Sequence, residues 1–177
     1  MGDKNISIGL FGFGCVGQGL YDVLNHSEGF RANISKICVK DKNKKRSIDA
    51  SYFTNDKNEI LKEGSNLNVI VELIDNSEEA FAIVKAAMNN GVSVVTANKK
   101  MLAEHFRELY KLQEKNNIAF IYEGSAGGSI PIIRNLEEYY DNELLSSVKG
   151  ILNGTCNYIL TRMELEKRDY TDVLEDA

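Results

Sequence analysis

The feature that most constrains this chain is the run Gly12-Phe13-Gly14-Cys15-Val16-Gly17, set between an apolar β-type stretch at residues 6–11 and a segment of helical period. Three glycines at this spacing and in this setting have three separate physical roles. Gly12 permits a tight turn out of the strand, Gly14 lets the backbone approach a bulky anionic group, and Gly17 lets the following helix pack closely on the strand. The helix then opens with N–H groups that lack intrahelical acceptors and with a partial positive charge, which together suit a phosphate. The pattern predicts a βαβ unit that receives a dinucleotide at Gly12, Gly14, Cys15, Val16 and Gly17.

The rest of the chain repeats the alternation of strand and helix. Val16, Leu20, Val23 and Leu24 recur at helical spacing and predict the buried face of the first helix, and residues 34–39 form a second strand. Residues 40–57, with Lys42, Lys44, Lys45 and Arg46, read as a solvated loop. Residues 67–74 (LNVIVELI) read as a strand buried on both faces. Ala80, Phe81, Val84, Ala87 and Met88 mark a helix over 77–90, ended by Gly91; a strand at 92–96 follows. Leu102, Phe106, Leu109 and Leu112 mark another helix to about Asn116, and 118–122 is a fifth strand. Beyond EGSAGGS come a helix over 130–140 with Pro131 in its first turn, a strand at 144–152, and a final helix from Asn153. This order predicts an α/β fold: a Rossmann-type doubly wound parallel sheet over residues 1–128, then the beginning of a second, α+β unit over 129–177.

Composition narrows the partners. A formal net charge of -5 and a pI near 5.2 argue against nucleic acid or an anionic membrane as a partner, since both favour a basic surface. No run approaches the roughly 18 apolar residues of a membrane span, and the first residues carry no apolar run behind a basic leader. Cys15, Cys38 and Cys156 have neither metal-ligand spacing nor the density of a disulfide framework, so a reducing cytoplasm is the expected location. At the end of the second strand stands Val39-Lys40-Asp41. Asp41 suits a free ribose 2′-hydroxyl and hence NAD, whereas Lys40, with Lys42, Lys44 or Lys45, suits a 2′-phosphate and hence NADP. Both cofactors stay open, with NADP favoured.

Three later segments are more specific than the glycine turn. VVTANKK (94–100), YEGSAGGSIPII (122–133) and KGILNGTCNYILTRM (149–163) resemble the homoserine dehydrogenase family in order and spacing, and with the glycine turn the resemblance covers essentially the whole chain. It implies NAD(P)-dependent interconversion of aspartate 4-semialdehyde and homoserine, in threonine, methionine and isoleucine biosynthesis, by a homodimeric enzyme. By that resemblance Lys99 is the catalytic, cofactor-proximal lysine with Asn98 beside it, and Lys100 is a surface residue. Asn76 and Ser77 resemble the family's nicotinamide- and ribose-contacting turn, with a plain helix cap as the equal alternative. Gly154 and Thr155 resemble its substrate contacts, Thr155 having a helix cap as its alternative. Glu123 with the carbonyls of Ala126, Gly128 and Ile130 resembles a site for a monovalent cation such as Na+, and Ser129 departs from the glycine commoner there. Cys156, His26 and His105 are expected to be bystanders, because hydride transfer needs no nucleophile.

The family's acidic stretch and second lysine lie beyond residue 177. The sequence therefore leads us to expect weak or no cofactor binding and no appreciable turnover by these 177 residues alone, with an exposed strand edge at 144–152. Two other readings compete: a non-catalytic NAD(P)-sensing module, and a dehydrogenase of another small semialdehyde.

Overall fold

The sheet grows outward from β1 (Ile6–Phe11), a run whose last four residues are buried. In this computed structural model, which describes residues 5–26, 29 and 31–177, five further strands extend it: β2 (Ala32–Cys38), β3 (Phe53–Thr54), β4 (Val69–Glu72), β5 (Ser93–Thr96) and β6 (Phe120–Ile121). Their order is β3-β2-β1-β4-β5-β6, and every neighbouring pair is parallel. This is the doubly wound order expected from the alternation of elements. The connections reverse direction between β1 and β4, which opens a crevice at the carboxyl ends of those strands.

Parallel strands need crossover helices, and these cover both faces of the sheet. On one face Phe11, Ile70 and Val94 pack with Ile60 of α2 (Asn58–Leu61), with Ile83, Val84 and Met88 of α3 (Ser77–Asn89), and with Met101 and Leu109 of α4 (Lys99–Asn116). On the other, Ile8, Leu10, Ile34, Ile37 and Phe53 pack with Leu20, Tyr21 and Leu24 of α1 (Cys15–His26). Each fully buried aliphatic side chain contributes about 1.5–3 kcal/mol of transfer free energy. The two helices α3 and α4 are also joined by Lys85 and Glu108, 2.6 Å apart.

Two expectations for this unit change. Val16, at 63% exposure, and Val23 are not on the buried face of α1; Gly17, Leu20, Tyr21 and Leu24 are. The cause is Gly17, which must face the Gly12 carbonyl of the turn for the close approach and so rotates the helix by about a quarter turn, one residue being 100°. The polar loop at 40–57 also contains structure: a short 3-10 turn at Ala50–Tyr52, capped by Asp49, and then β3, whose Phe53 is buried. A two-residue strand behind a cluster of lysines carries too little periodicity to be seen.

The chain divides into two compact units, one ending at Tyr122 and one from Glu123 to Ala177. The second has a 3-10 turn at Glu123–Ser125 and three helices, α5 (Ile132–Tyr139), α6 (Gly154–Glu166) and α7 (Tyr170–Asp176). Pro131 sits at the N-cap of α5 rather than inside its first turn. The strand expected at 144–152 does not form, and Leu144, Leu145, Val148, Ile151 and Leu152 are exposed. A strand exists through its ladder, and among the described residues none pairs with this segment. The single final helix is likewise two: Lys167 takes a left-handed backbone at φ 54° and separates α6 from α7, whose buried residues are Ile159 and Val173 respectively.

Candidate functional site

The glycines behave differently from one another. Gly12 has φ +95°, and a Cβ there would lie 2.6 Å from the carbonyl oxygen of Leu73, so both conformation and space demand glycine. At Gly17 a Cβ would meet the Gly12 carbonyl oxygen at 2.6 Å. At Gly14 nothing lies within 4 Å of the missing Cβ. Two of the glycines therefore build the turn, and the third leaves its surface open.

That surface faces a cleft of about 640 Å³ at the switch point, lined by Gly12, Phe13 and Gly14 from the turn and by Leu73, Ile74 and Asp75 from the exit of β4. Lys40, Lys44, Arg46 and Lys57 bring cations to it, and Asp41, Asp56, Asp75 and Glu79 bring acids. A second cleft, of about 410 Å³, adjoins Phe13, Lys44 and Arg46 on the outer side. Phe13 is held edge-on between Phe53, with centroids 5.2 Å apart, and Tyr21, at 6.1 Å, and the Arg46 guanidinium lies over Phe53 at 4.6 Å. Arg46 also donates to the Lys44 carbonyl. Asp41 turns one carboxylate oxygen back on its own loop, accepting the Asn43 N–H at 2.8 Å. Cys38 lines the cleft as well; burial foremost, then the charges of Glu79 and Asp56, push its thiol above the usual range.

The next two strand exits carry the remaining candidates of this unit. Asn76 caps α3, its Oδ1 accepting the Glu79 N–H at 2.8 Å, and Ser77 is buried in the first turn. The helix-cap alternative for this pair is therefore satisfied by Asn76. Asn98 is buried and fully engaged: Oδ1 accepts from Met101 N–H and Nδ2 donates to the Ile74 carbonyl, both at 2.9 Å. Lys99 opens α4 and is exposed, while Lys100 lies 3.9 Å from Glu104 one turn on. Gly12, Gly14 and Lys40 thus share one cleft, with Cys15, Val16 and Gly17 on the helical turn that follows; Asn76, Ser77, Asn98 and Lys99 sit on neighbouring crossovers at the same edge and outside the cleft lining.

Glu72, the last residue of β4, was not singled out by sequence. It is completely buried and accepts the Ile74 N–H at 2.7 Å and the Thr96 hydroxyl at 2.5 Å. Burial raises its carboxyl above the usual glutamate range, partly offset by hydrogen bonds from Thr96, Ile74 and Asn98. The available signal was one acid within the apolar run LNVIVELI. Arg46 was seen only as one member of a charged cluster.

In the second unit, Glu123 spends both carboxylate oxygens on the amino end of α5, accepting from Ile133 N–H at 3.1 Å and Arg134 N–H at 2.8 Å. The Ile130 carbonyl accepts from Ile132 N–H, and Gly128, at φ 65°, lies between Ala126 and Ile130. Gly154 starts α6, and the cap is Asn153, whose Oδ1 accepts from Cys156 N–H at 2.8 Å. Thr155 is therefore not the cap; the cap position falls two residues earlier, and Thr155 is exposed in the first turn. His26 bonds the Asp22 carbonyl of its own helix, and His105 stacks on Phe81 at 3.8 Å.

Comparison with known proteins agrees on one relationship. The family model for the NAD-binding domain of homoserine dehydrogenase matches residues 12–123, more than half of the chain, and a second homoserine dehydrogenase model matches 131–177. The homoserine dehydrogenase of Bacillus subtilis is 35% identical over 98% of this chain and 42% of its own length. The structure of a homoserine dehydrogenase from Thiobacillus denitrificans is similar with a TM-score of 0.86, at 30% identity, over 98% of this chain and 42% of that one. A hyperthermophilic archaeal homoserine dehydrogenase mutant in complex with NADPH is similar with a TM-score of 0.76, at 26% identity, over 97% of this chain and 60% of that one. The chain spans about 42% of the length of the curated relatives it matches.

Proposed function

Because this chain belongs to the homoserine dehydrogenase family, we propose that it supplies the nicotinamide-cofactor site of an enzyme that interconverts aspartate 4-semialdehyde and homoserine. The observation that carries the reading is the open Gly14 above the switch-point cleft, beside two glycines that the turn itself requires. Family membership favours neither alternative, the sensing module or the dehydrogenase of another semialdehyde.

The N–H groups of the first turn of α1, from Cys15, Val16 and Gly17, hold the pyrophosphate of the dinucleotide. Lys40, Lys44 and Arg46 take a 2′-phosphate, and Asp41, with one oxygen already bonded to its own loop, offers less to a free hydroxyl. The reading is accordingly NADP in preference to NAD, in keeping with the NADPH held by the archaeal relative. When bound, the nicotinamide supplies or takes up the hydride. Lys99 places an ammonium beside the substrate oxygen, stabilises the charge that grows there and passes it a proton. Gly154 and Thr155 bind the amino-acid part of the substrate. Glu123 with the carbonyls of Ala126, Gly128 and Ile130 is the candidate set for a monovalent cation such as Na+; the Glu123 oxygens and the Ile130 carbonyl each accept one backbone N–H around α5 and keep a further lone pair for an ion.

Titration with NADPH and NADH, followed by the cofactor's own fluorescence, tests this cleanly in a chain without tryptophan. Charge-assisted hydrogen bonds contribute about 1.5–3 kcal/mol each, so NADPH is expected to bind roughly tenfold or more tightly than NADH. Equal or tighter binding of NADH removes the NADP preference. Loss of neither cofactor on replacing Gly14 by valine removes the site.

A further inference from the structure

Glu72 and Thr96 are register partners at the carboxyl ends of β4 and β5, and both side chains are buried. Their hydrogen bonds form a closed ring through the two turns that follow. Glu72 Oε1 accepts from Ile74 N–H, and Oε2 accepts from the Thr96 hydroxyl. Thr96 Oγ1 accepts in turn from Asn98 N–H at 3.0 Å, and Asn98 Nδ2 returns to the Ile74 carbonyl. The backbone adds Ala97 N–H to the Glu72 carbonyl at 3.3 Å. One turn leads directly into Asn76 and the first residues of α3; the other leads into Lys99.

An apolar residue would fill this end of the strand with less desolvation cost, since a buried acid is stabilised only by the donors that converge on it. Those donors come from the end of β5 and from the two turns, and the groups acting on the acid are Thr96, Ile74, Asn98 and the charge of Asp75. The arrangement stabilises one relative placement of the turns. We propose that Glu72 is a positioning residue that couples the exit of β4 to the exit of β5, so that the Asn76 turn and Lys99 meet the bound cofactor as one rigid edge. This rests on the reading that Lys99 lies against the cofactor.

The hydroxyl polarity makes the proposal testable. In Glu72→Gln the amide nitrogen faces Thr96 Oγ1, which already accepts from Asn98, so the hydroxyl proton loses its acceptor while shape is kept. Thr96→Val removes the link outright, and Thr96→Ser restores it. NADPH titrations of these variants, of Lys99→Ala and of the Glu72→Gln/Lys99→Ala double variant form a cycle, with thermal melting followed in parallel. We expect Glu72→Gln and Thr96→Val each to weaken NADPH binding about fivefold to tenfold, Thr96→Ser to bind within about twofold of the parent, and the double variant to lose clearly less than the product of the two single losses. Additive losses in the double variant, or Thr96→Val binding like the parent, overturn the positioning role while leaving Lys99 in place. If Lys99→Ala alone binds like the parent, the Lys99 reading fails first and the proposal falls with it. Should Glu72→Gln not fold, the Thr96→Val and Thr96→Ser pair decides.

Discussion

The unit that ends at Tyr122 and the unit that begins at Glu123 differ in how far they satisfy themselves. In the first, all six strands find parallel neighbours, and the buried acid at the end of β4 is met by the Ile74 N–H of the turn after it and by the Thr96 hydroxyl at the end of β5. In the second, Ile159 and Val173 are the buried hydrophobics among the described residues, while Leu144 is 91% exposed and Leu165 is 77% exposed. The contrast teaches where stability resides. The switch-point cleft is built on a sheet whose partners are all local to that unit, whereas Gly154 and Thr155 both stand on α6, whose buried residue among those described is Ile159.

The sharpest way to break this contrast is the same truncation in each unit. Leu109→Ala, in the core against α3, should cost about 2–5 kcal/mol. Leu165→Ala should change stability by no more than about 0.5 kcal/mol. Urea denaturation measures both, and similar losses would show that the second unit carries more core than its exposure indicates.

The glycines give the next largest effect and separate structure from binding. Gly17→Ala puts a Cβ against a backbone carbonyl at 2.6 Å and should lower the melting temperature by several degrees, roughly the effect of 1–2 kcal/mol. Gly14→Ala meets nothing within 4 Å, so it should melt like the parent and lose cofactor affinity alone. A stability loss at Gly14 would contradict its open setting.

How much of this was legible in sequence follows from the same contrast. The glycine turn and the strand–helix alternation are local signals, and each expected strand of the first unit formed, with β3 added. The rotation of α1 was not legible, because Val16 and Val23 fit a helical stripe as well as Tyr21 does, and only the contact at Gly17 selects the face. The strand at 144–152 was misread for the opposite reason: its apolar residues suit a ladder, but a ladder needs a partner that local pattern cannot supply. At the site, Asn76 was legible together with its cap role as one of two readings, the cap role of Asn98 was not, and Glu72 was hidden because a single acid in an apolar run carries no period. Lys40 was found because the Rossmann pattern assigns meaning to the end of the second strand, a rule that says nothing of Arg46 six residues on.

The smallest expected effect is in pH. The raised carboxyl of Glu72 means that the folded protein holds this proton more tightly than the unfolded chain does. Its contribution is therefore fully present below the ordinary glutamate value of 4.5 and declines as pH rises through the higher folded value. Comparing parent with Glu72→Gln by urea denaturation across that window should show a downward slope with rising pH that the variant lacks. An upward slope in the parent, also removed by the substitution, would reverse the assigned sign.

The central claim is that the turn into α1 holds the cofactor, and alkylation of the cysteines tests it most directly. Cys15 opens α1 and is exposed, Cys156 is exposed in the other unit, and Cys38 is half-buried with a thiol pushed upward by burial. At an NADPH concentration shown by fluorescence to be bound, the account predicts that iodoacetamide labelling of Cys15 slows several-fold while Cys156 provides the unprotected reference. Cys15 labelled at the same rate with and without bound NADPH would contradict it.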